Sequence, residues 1–288
     1  MNARQRGIGL PELMVALTLS LLVTLVAGSM LHASSADFQH NGGATRIDDS
    51  GHFALAIMGQ ALRAAGYRGE PGTPDAGAAL AVSGRDAASV ARDADGMGDA
   101  LPAVNGSDVL ALRYAPTAAG AADDAMLNCA GFPAAPGEWA WSIFYVALAA
   151  DGEAELRCKY RGQHGWAADA VVRGVDAFHV LYGIDTDTPR DGVANQYLTA
   201  SAIEALAAAL PPESGPAASP WRRVTSVRLA LLLHGESSAR TDAPLVSYAM
   251  LPGADPAARI DEASLPPAMQ HRVRRLFGAT LALRNPQE

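Results

Sequence analysis

Arg4-Gln5-Arg6-Gly7-Ile8-Gly9-Leu10-Pro11-Glu12-Leu13 is the stretch that decides how the chain is read, and an apolar run follows it at once. A short basic head, Arg4 and Arg6, precedes the small residue Gly7, and one carboxylate, Glu12, stands five positions after that glycine. From Leu13 to Ala36 there is no Asp, Glu, Lys or Arg. A secretory signal places its small-residue cleavage site after the apolar core. Here the small-residue site lies before the core, so cutting after Gly7 would leave the apolar helix on the mature chain. Ile8 would become the new N-terminus and Glu12 the fifth residue. The run of about 24 residues, at about 1.5 Å each, reaches roughly 36 Å and exceeds a hydrocarbon core of about 30 Å. Arg4 and Arg6 on its N-terminal side predict that end in the cytoplasm and the rest outside. An unrelated signal anchor is the alternative, but a carboxylate beside an apolar helix is costly and is kept by default for function.

The chain has 288 residues and a formal charge of −8, from 30 acidic and 22 basic residues. Past the first helix this length suits one domain of ordinary to large size. The acidic balance argues against direct nucleic-acid binding, which needs a concentrated basic face. Lys159 is the only lysine. Arg272, Arg274, Arg275 and Arg284 are expected on a solvated basic face. No HExxH, GxSxG or Walker A pattern occurs, and the Gly7-x-Gly9 pair lacks the third glycine of a dinucleotide loop. The seven histidines are scattered. The chain is therefore expected not to be an enzyme and to need no cofactor.

Cys129 and Cys158 are the only cysteines. In an exported domain such a pair reads as a disulfide, the alternative being two unrelated buried thiols. Asp185, Asp187, Asp191 and Asn195 gather oxygen ligands around Gly192 and could suit calcium. The spacing is wrong for an EF-hand, since position 12 counted from Asp185 is Gln196. An acidic turn between a strand and a helix is the plainer alternative.

Residues 50–66 are amphipathic, with Phe53, Ile57, Met58, Ala61, Leu62 and Ala65 on one face, and Gly66 is placed to end the helix. Asn41-Gly42-Gly43 is a weak point at which a kink or unwound stretch is expected. Residues 70–103 are rich in Gly, Pro, Ala and Asp and read as a long irregular connection. Strands are predicted at 108–114, 139–149, 153–160, 175–184, 224–233, 245–251 and 277–283, and a short helix at 199–210 before Pro211-Pro212. The fold class is α+β: a long N-terminal helix, then an antiparallel sheet domain.

Basic head, Gly7, Glu12 and apolar run together resemble the prepilin signal of type IV pilins and type II secretion pseudopilins. These families usually carry Phe or Met where Ile8 stands. Gly51-His52-Phe53-Ala54-Leu55 leading to Leu62-Arg63-Ala64-Ala65-Gly66-Tyr67 resembles the end of the first helix in PilW-family minor pilins. Similar to that family too are Val175–Gly183 with Asp185-Thr186-Asp187 and Asp191–Tyr197, Val224–Leu232, and the ending Arg275-Leu276-Phe277 to Arg284-Asn285. Residues 70–170 match least. Pseudopilin J of type II secretion shares the first helix and the Arg-Asn ending.

The resemblance implies a leader at 1–7, a membrane and filament-core helix at 8–36, an amphipathic periplasmic half at 37–66 and a globular β-rich, pilin-like domain at 67–288. It implies a minor pilin, cleaved after Gly7 by a prepilin peptidase that methylates Ile8, and helping to prime a type IV pilus near its tip. Partners would be other minor pilins, the major pilin, the inner-membrane platform protein and sometimes a tip adhesin. The location would be the inner membrane, then the pilus. In a filament, Glu12 would pair with an Ile8 amine, its own or a neighbour's, because an unpaired charge in a low dielectric is strongly destabilising. A pseudopilin of type II secretion and an anchored periplasmic domain binding calcium or another ligand remain the alternatives.

Overall fold

The structure, a computed structural model, describes residues 9–68 (side chains of 32–43 excepted), 79–115, 126–133, 139–235, 243–251 and 258–285. The chain divides into two units, Met1–Thr45 and Arg46–Glu288. Helix α1, Leu10–Ala64, runs through the boundary. The backbone stays helical at Asn41-Gly42-Gly43, so the expected unwound stretch is not found. Two glycines cost about 1 kcal/mol each, which long helical stretches on both sides can carry.

In the first unit, Leu10–Leu31 is long and apolar enough to cross a membrane, with mean hydropathy 2.2 and none of its apolar window buried. Its few polar side chains are satisfied within the helix. Thr18, Ser20, Thr24 and Ser29 donate to the carbonyls of Val15, Leu17, Ser20 with Leu21, and Val26, at 2.8–2.9 Å. That suits a segment placed where no water replaces a lost hydrogen bond.

The second unit begins inside α1, at Arg46 rather than after residue 66. Ile47, Gly51, Ala54, Met58, Ala61, Leu62 and Ala65 form its buried face. Phe53, expected on that face, is 52% exposed. The face is rotated because a Cβ on Gly51 would lie 2.5 Å from the Phe277 ring, so the glycine rather than the neighbouring aromatic meets the sheet.

The strands are β1 (Val82–Arg85), β2 (Ala88–Val90), β3 (Ala100–Pro102), β4 (Val109–Tyr114), β5 (Ala140–Leu148), β6 (Ala154–Gly162), β7 (Gly165–Arg173), β8 (Val175–Ile184), β9 (Gln196–Leu198), β10 (Val224–His234), β11 (Ser247–Ala249), β12 (Arg259–Asp261) and β13 (Arg274–Ala282); α2 is Ala200–Ala208. One antiparallel sheet has the order β1-β4-β5-β6-β7 and a second the order β13-β10-β8-β9. The main core lies between them and α1. Leu110, Leu112, Phe144 and Leu156 from the first sheet meet Phe178, Val180, Tyr182, Leu229 and Leu231 from the second, with Met58 and Leu62 of the helix.

Alternation sends the intervening residues to the outer faces. On the second sheet, Ala177, Leu181, Ala230 and Leu232 pack under Met250, Leu251, Ile260 and Leu265. On the first, Val109, Ala111, Ile143 and Tyr145 pack with Ala88 and Val90. Residues 82–102, read as irregular, thus contain three short strands, one extending a sheet and two covering it. Strand β7 also escaped the sequence reading, because Trp166-Ala167-Ala168-Asp169-Ala170 carries little apolar alternation.

Helix α1 ends at Gly66, whose φ of 74° favours glycine. Its N–H donates to the Arg113 carbonyl at 2.9 Å. Asn285 Nδ2 donates to the helix-end carbonyls of Arg63 (3.3 Å) and Ala65 (3.2 Å), satisfying groups that a helix terminus leaves open. Cys129 and Cys158 form a disulfide with Cα atoms 5.9 Å apart, fastening the Leu127–Pro133 loop to β6. Closing a loop of this size contributes about 3–4 kcal/mol in the chain-entropy model.

Gly51→Ala decides between two opposed effects. Helix propensity favours alanine by about 1 kcal/mol, while overpacking against the ring costs about 1–3 kcal/mol. Net destabilisation is expected by thermal unfolding, and Gly51→Ala added to Phe277→Leu should instead stabilise that background. A raised melting temperature for the single variant would show that the ring yields freely.

Candidate functional site

Three groups of residues bear on function: the start of α1, the acidic loop, and a buried charge cluster. Gly7 and Ile8 lie outside the described residues. Glu12 is exposed in the first turn of α1, and its Oε2 accepts the Gly9 N–H at 3.1 Å. The Gly9 carbonyl accepts from Leu13 N at 3.2 Å, so Gly9 is the N-cap and Glu12 the third helical residue. A Glu there reaching back to the cap N–H is half of a capping box. Pro11 fits the same turn because its missing N–H has no intrahelical partner.

The acidic loop joins β8 to β9. Asp185 is buried, Asp187 is half-buried and Asp191 exposed. One oxygen from each can be found within 4.8 Å of the others. Backbone amides organise the loop: Asp185 Oδ1 accepts from Asp187 N (2.9 Å) and Oδ2 from Gly192 N (2.8 Å), and Asp191 Oδ1 accepts from Val193 N (2.8 Å). Burial raises the Asp185 carboxyl pKa, but the amide donors of Asp187, Gly192 and Asp191 and the Arg223 charge outweigh it and hold the group below its ordinary value. Asn195 is brought to the cluster. Its Oδ1 accepts from Thr186 N (2.7 Å) and Oγ1 (3.2 Å), and its Nδ2 donates to Asp187 Oδ2 (3.1 Å). Three carboxylate oxygens could serve a hard cation, though calcium takes six to eight, and the remainder would have to come from water or backbone. Arg223 Nη2 donates to the Asp187 carbonyl at 3.0 Å and brings a positive charge to the same loop.

The third group was not read from the sequence. Asp176, near the start of β8, and Glu262 are buried and share one guanidinium: Arg274 Nε donates to Asp176 Oδ2 at 2.6 Å and Nη1 to Glu262 Oε1 at 2.7 Å. Arg274 Nη2 donates to the Met269 carbonyl at 2.5 Å. His234, at the end of β10, has Nδ1 3.0 Å from Asp176 Oδ1, and its Nε2 contacts Glu153. Arg272 lies 3.7 Å from Glu153, and Arg275 pairs with Asp48. The expected solvated basic face is therefore corrected: three of its four arginines are in ion pairs, and the Arg274 side chain has no exposure. The signal available was Asp176 inside the apolar run Val175–Ile184, since a buried carboxylate demands a cation. Its partner was missed because the last strand was expected to begin at Phe277. With the Asp176 and His234 side chains each 1% exposed, the cluster offers a substrate no access and works as a fastening between strands.

Arg274→Ala leaves two carboxylates buried and is expected to cost about 3–5 kcal/mol. Arg274→Lys should recover only part of this, because one ammonium cannot reproduce the fork to two carboxylates and a carbonyl. Chemical denaturation of the three proteins checks the order, and equal stability of Arg274→Ala and the parent would remove the fastening role.

No curated protein matches the chain. Among solved structures it is similar to the type IV-like pilin TTHA1219 from Thermus thermophilus, with 17% identity, 84% of this chain and 99% of that chain covered, and a TM-score of 0.41. Residues 143–285 match the family model described as Type IV Pilus-assembly protein W. That stretch runs from within β5 to Asn285, contains the acidic loop and every member of the buried cluster, and is the part of the chain that matches the PilW family of type IV pilus-assembly proteins.

Proposed function

We propose that the chain is a minor pilin: cleaved after Gly7, anchored in the inner membrane by Leu10–Leu31, and then used to prime and assemble a type IV pilus near its tip. One observation carries the reading. A wholly uncovered apolar helix with a single carboxylate in its first turn stands on a chain whose C-terminal part is PilW-type. Partners on this reading are other minor pilins, the major pilin, the platform protein and a tip adhesin. They would meet the apolar helix by burying it among like helices, and no catalysis is required of the protein. A pseudopilin of type II secretion would use the same helix in a periplasmic piston.

Cleavage after Gly7 creates a cationic amine at Ile8, next to the Gly9 N–H that Glu12 accepts. The Glu12 carboxylate is thus within reach of its own chain's new terminus and is also available to a neighbouring subunit. Capping and charge pairing are separable by substitution, because glutamine serves at the third helical position as glutamate does but carries no charge.

Intact mass and N-terminal sequencing of protein recovered from membranes are expected to give a start at Ile8 with one added methyl. A start at Met1, or cleavage beyond residue 30, would sink the minor-pilin reading. Glu12→Ala and Glu12→Gln are both expected to be cleaved normally yet to enter pili several-fold less well, measured by immunoblot of sheared filaments. Normal incorporation of Glu12→Gln would assign the residue to helix capping alone.

A further inference from the structure

We draw no further inference here: the strongest candidate, the cluster on the outer face of the first sheet in which Arg113 stacks on Trp141 with its Nε buried and unpartnered and Lys159 lies over Trp166, carries no ligand site because Asp95 of the same chain already supplies the charge that attracts both cations and accepts the Trp166 indole N–H at 2.8 Å.

Discussion

Strand β8 is buried at every one of its ten positions, and that burial is the constraint on which the second unit depends. A strand covered on both faces needs two layers of partners. The inner residues Phe178, Val180 and Tyr182 take the helix and the first sheet, and the outer Ala177 and Leu181 take Met250, Leu251, Ile260 and Leu265. An acidic residue and a histidine sit buried in this strand and need partners. Asp176 is met by Arg274 and His234, and His179 lies 3.3 Å from Asp108. Asp108 also accepts from Val180 N (2.9 Å) and Ala87 N (2.9 Å), while Asn105 donates to the Asp176 carbonyl at 2.8 Å. These bonds stitch the entrance of β4 to β8 and join the two sheets. Losing one partner of a buried ion pair costs about 3–5 kcal/mol, a large share of the 5–15 kcal/mol that separates a folded domain from its unfolded chain.

The helix and β13 share a second constraint. A helix can lie close to a strand only where a side chain is missing, and Gly51 and Gly59 provide this against Phe277 and Leu281. From Phe277 onward the odd residues of β13 lie toward the helix, while Gly278, Thr280 and Ala282 remain exposed. Asn285 then returns to close the carbonyl end of α1. The C-terminus is thus part of what holds the helix, which gives physical content to the Arg-Asn ending that the sequence showed only as a resemblance.

Legibility followed the range of the interactions. Strands β4, β5, β6, β8 and β10 were readable because their apolar runs are local facts. Strands β1 to β3 and β7 were not, because short or alanine-rich segments are strands only by virtue of what they pair with. The acidic loop was visible as four oxygen-bearing residues, but the amides that hold it were not, since loop closure brings Gly192 N to Asp185 and Thr186 N to Asn195. Arg274 looked solvated because its partners lie 98 and 12 residues away. Phe53 was misplaced by one helical position, an error that only the glycine at 51 explains. At the N-terminus, Glu12 stood out as the lone carboxylate, and its hydrogen bond to Gly9 adds a local role to the expected pairing.

Magnitudes decide how the first unit behaves. Between Leu10 and Leu31, thirteen large apolar side chains are each 43–75% exposed within their own chain. Burying a residue of this kind is worth about 1.5–3 kcal/mol when complete, so covering the whole run is worth on the order of 20 kcal/mol. A carboxylate at the centre of a membrane helix costs about 2.5–3.5 kcal/mol on insertion scales, and less near an end. Glu12 stands in the first turn, where its carboxylate can stay near the interface. The apolar run therefore sets where this helix goes, and the single carboxylate cannot hold it in water. What Glu12 can do is favour one depth and one register among several that the featureless apolar surface would otherwise leave nearly equal in energy.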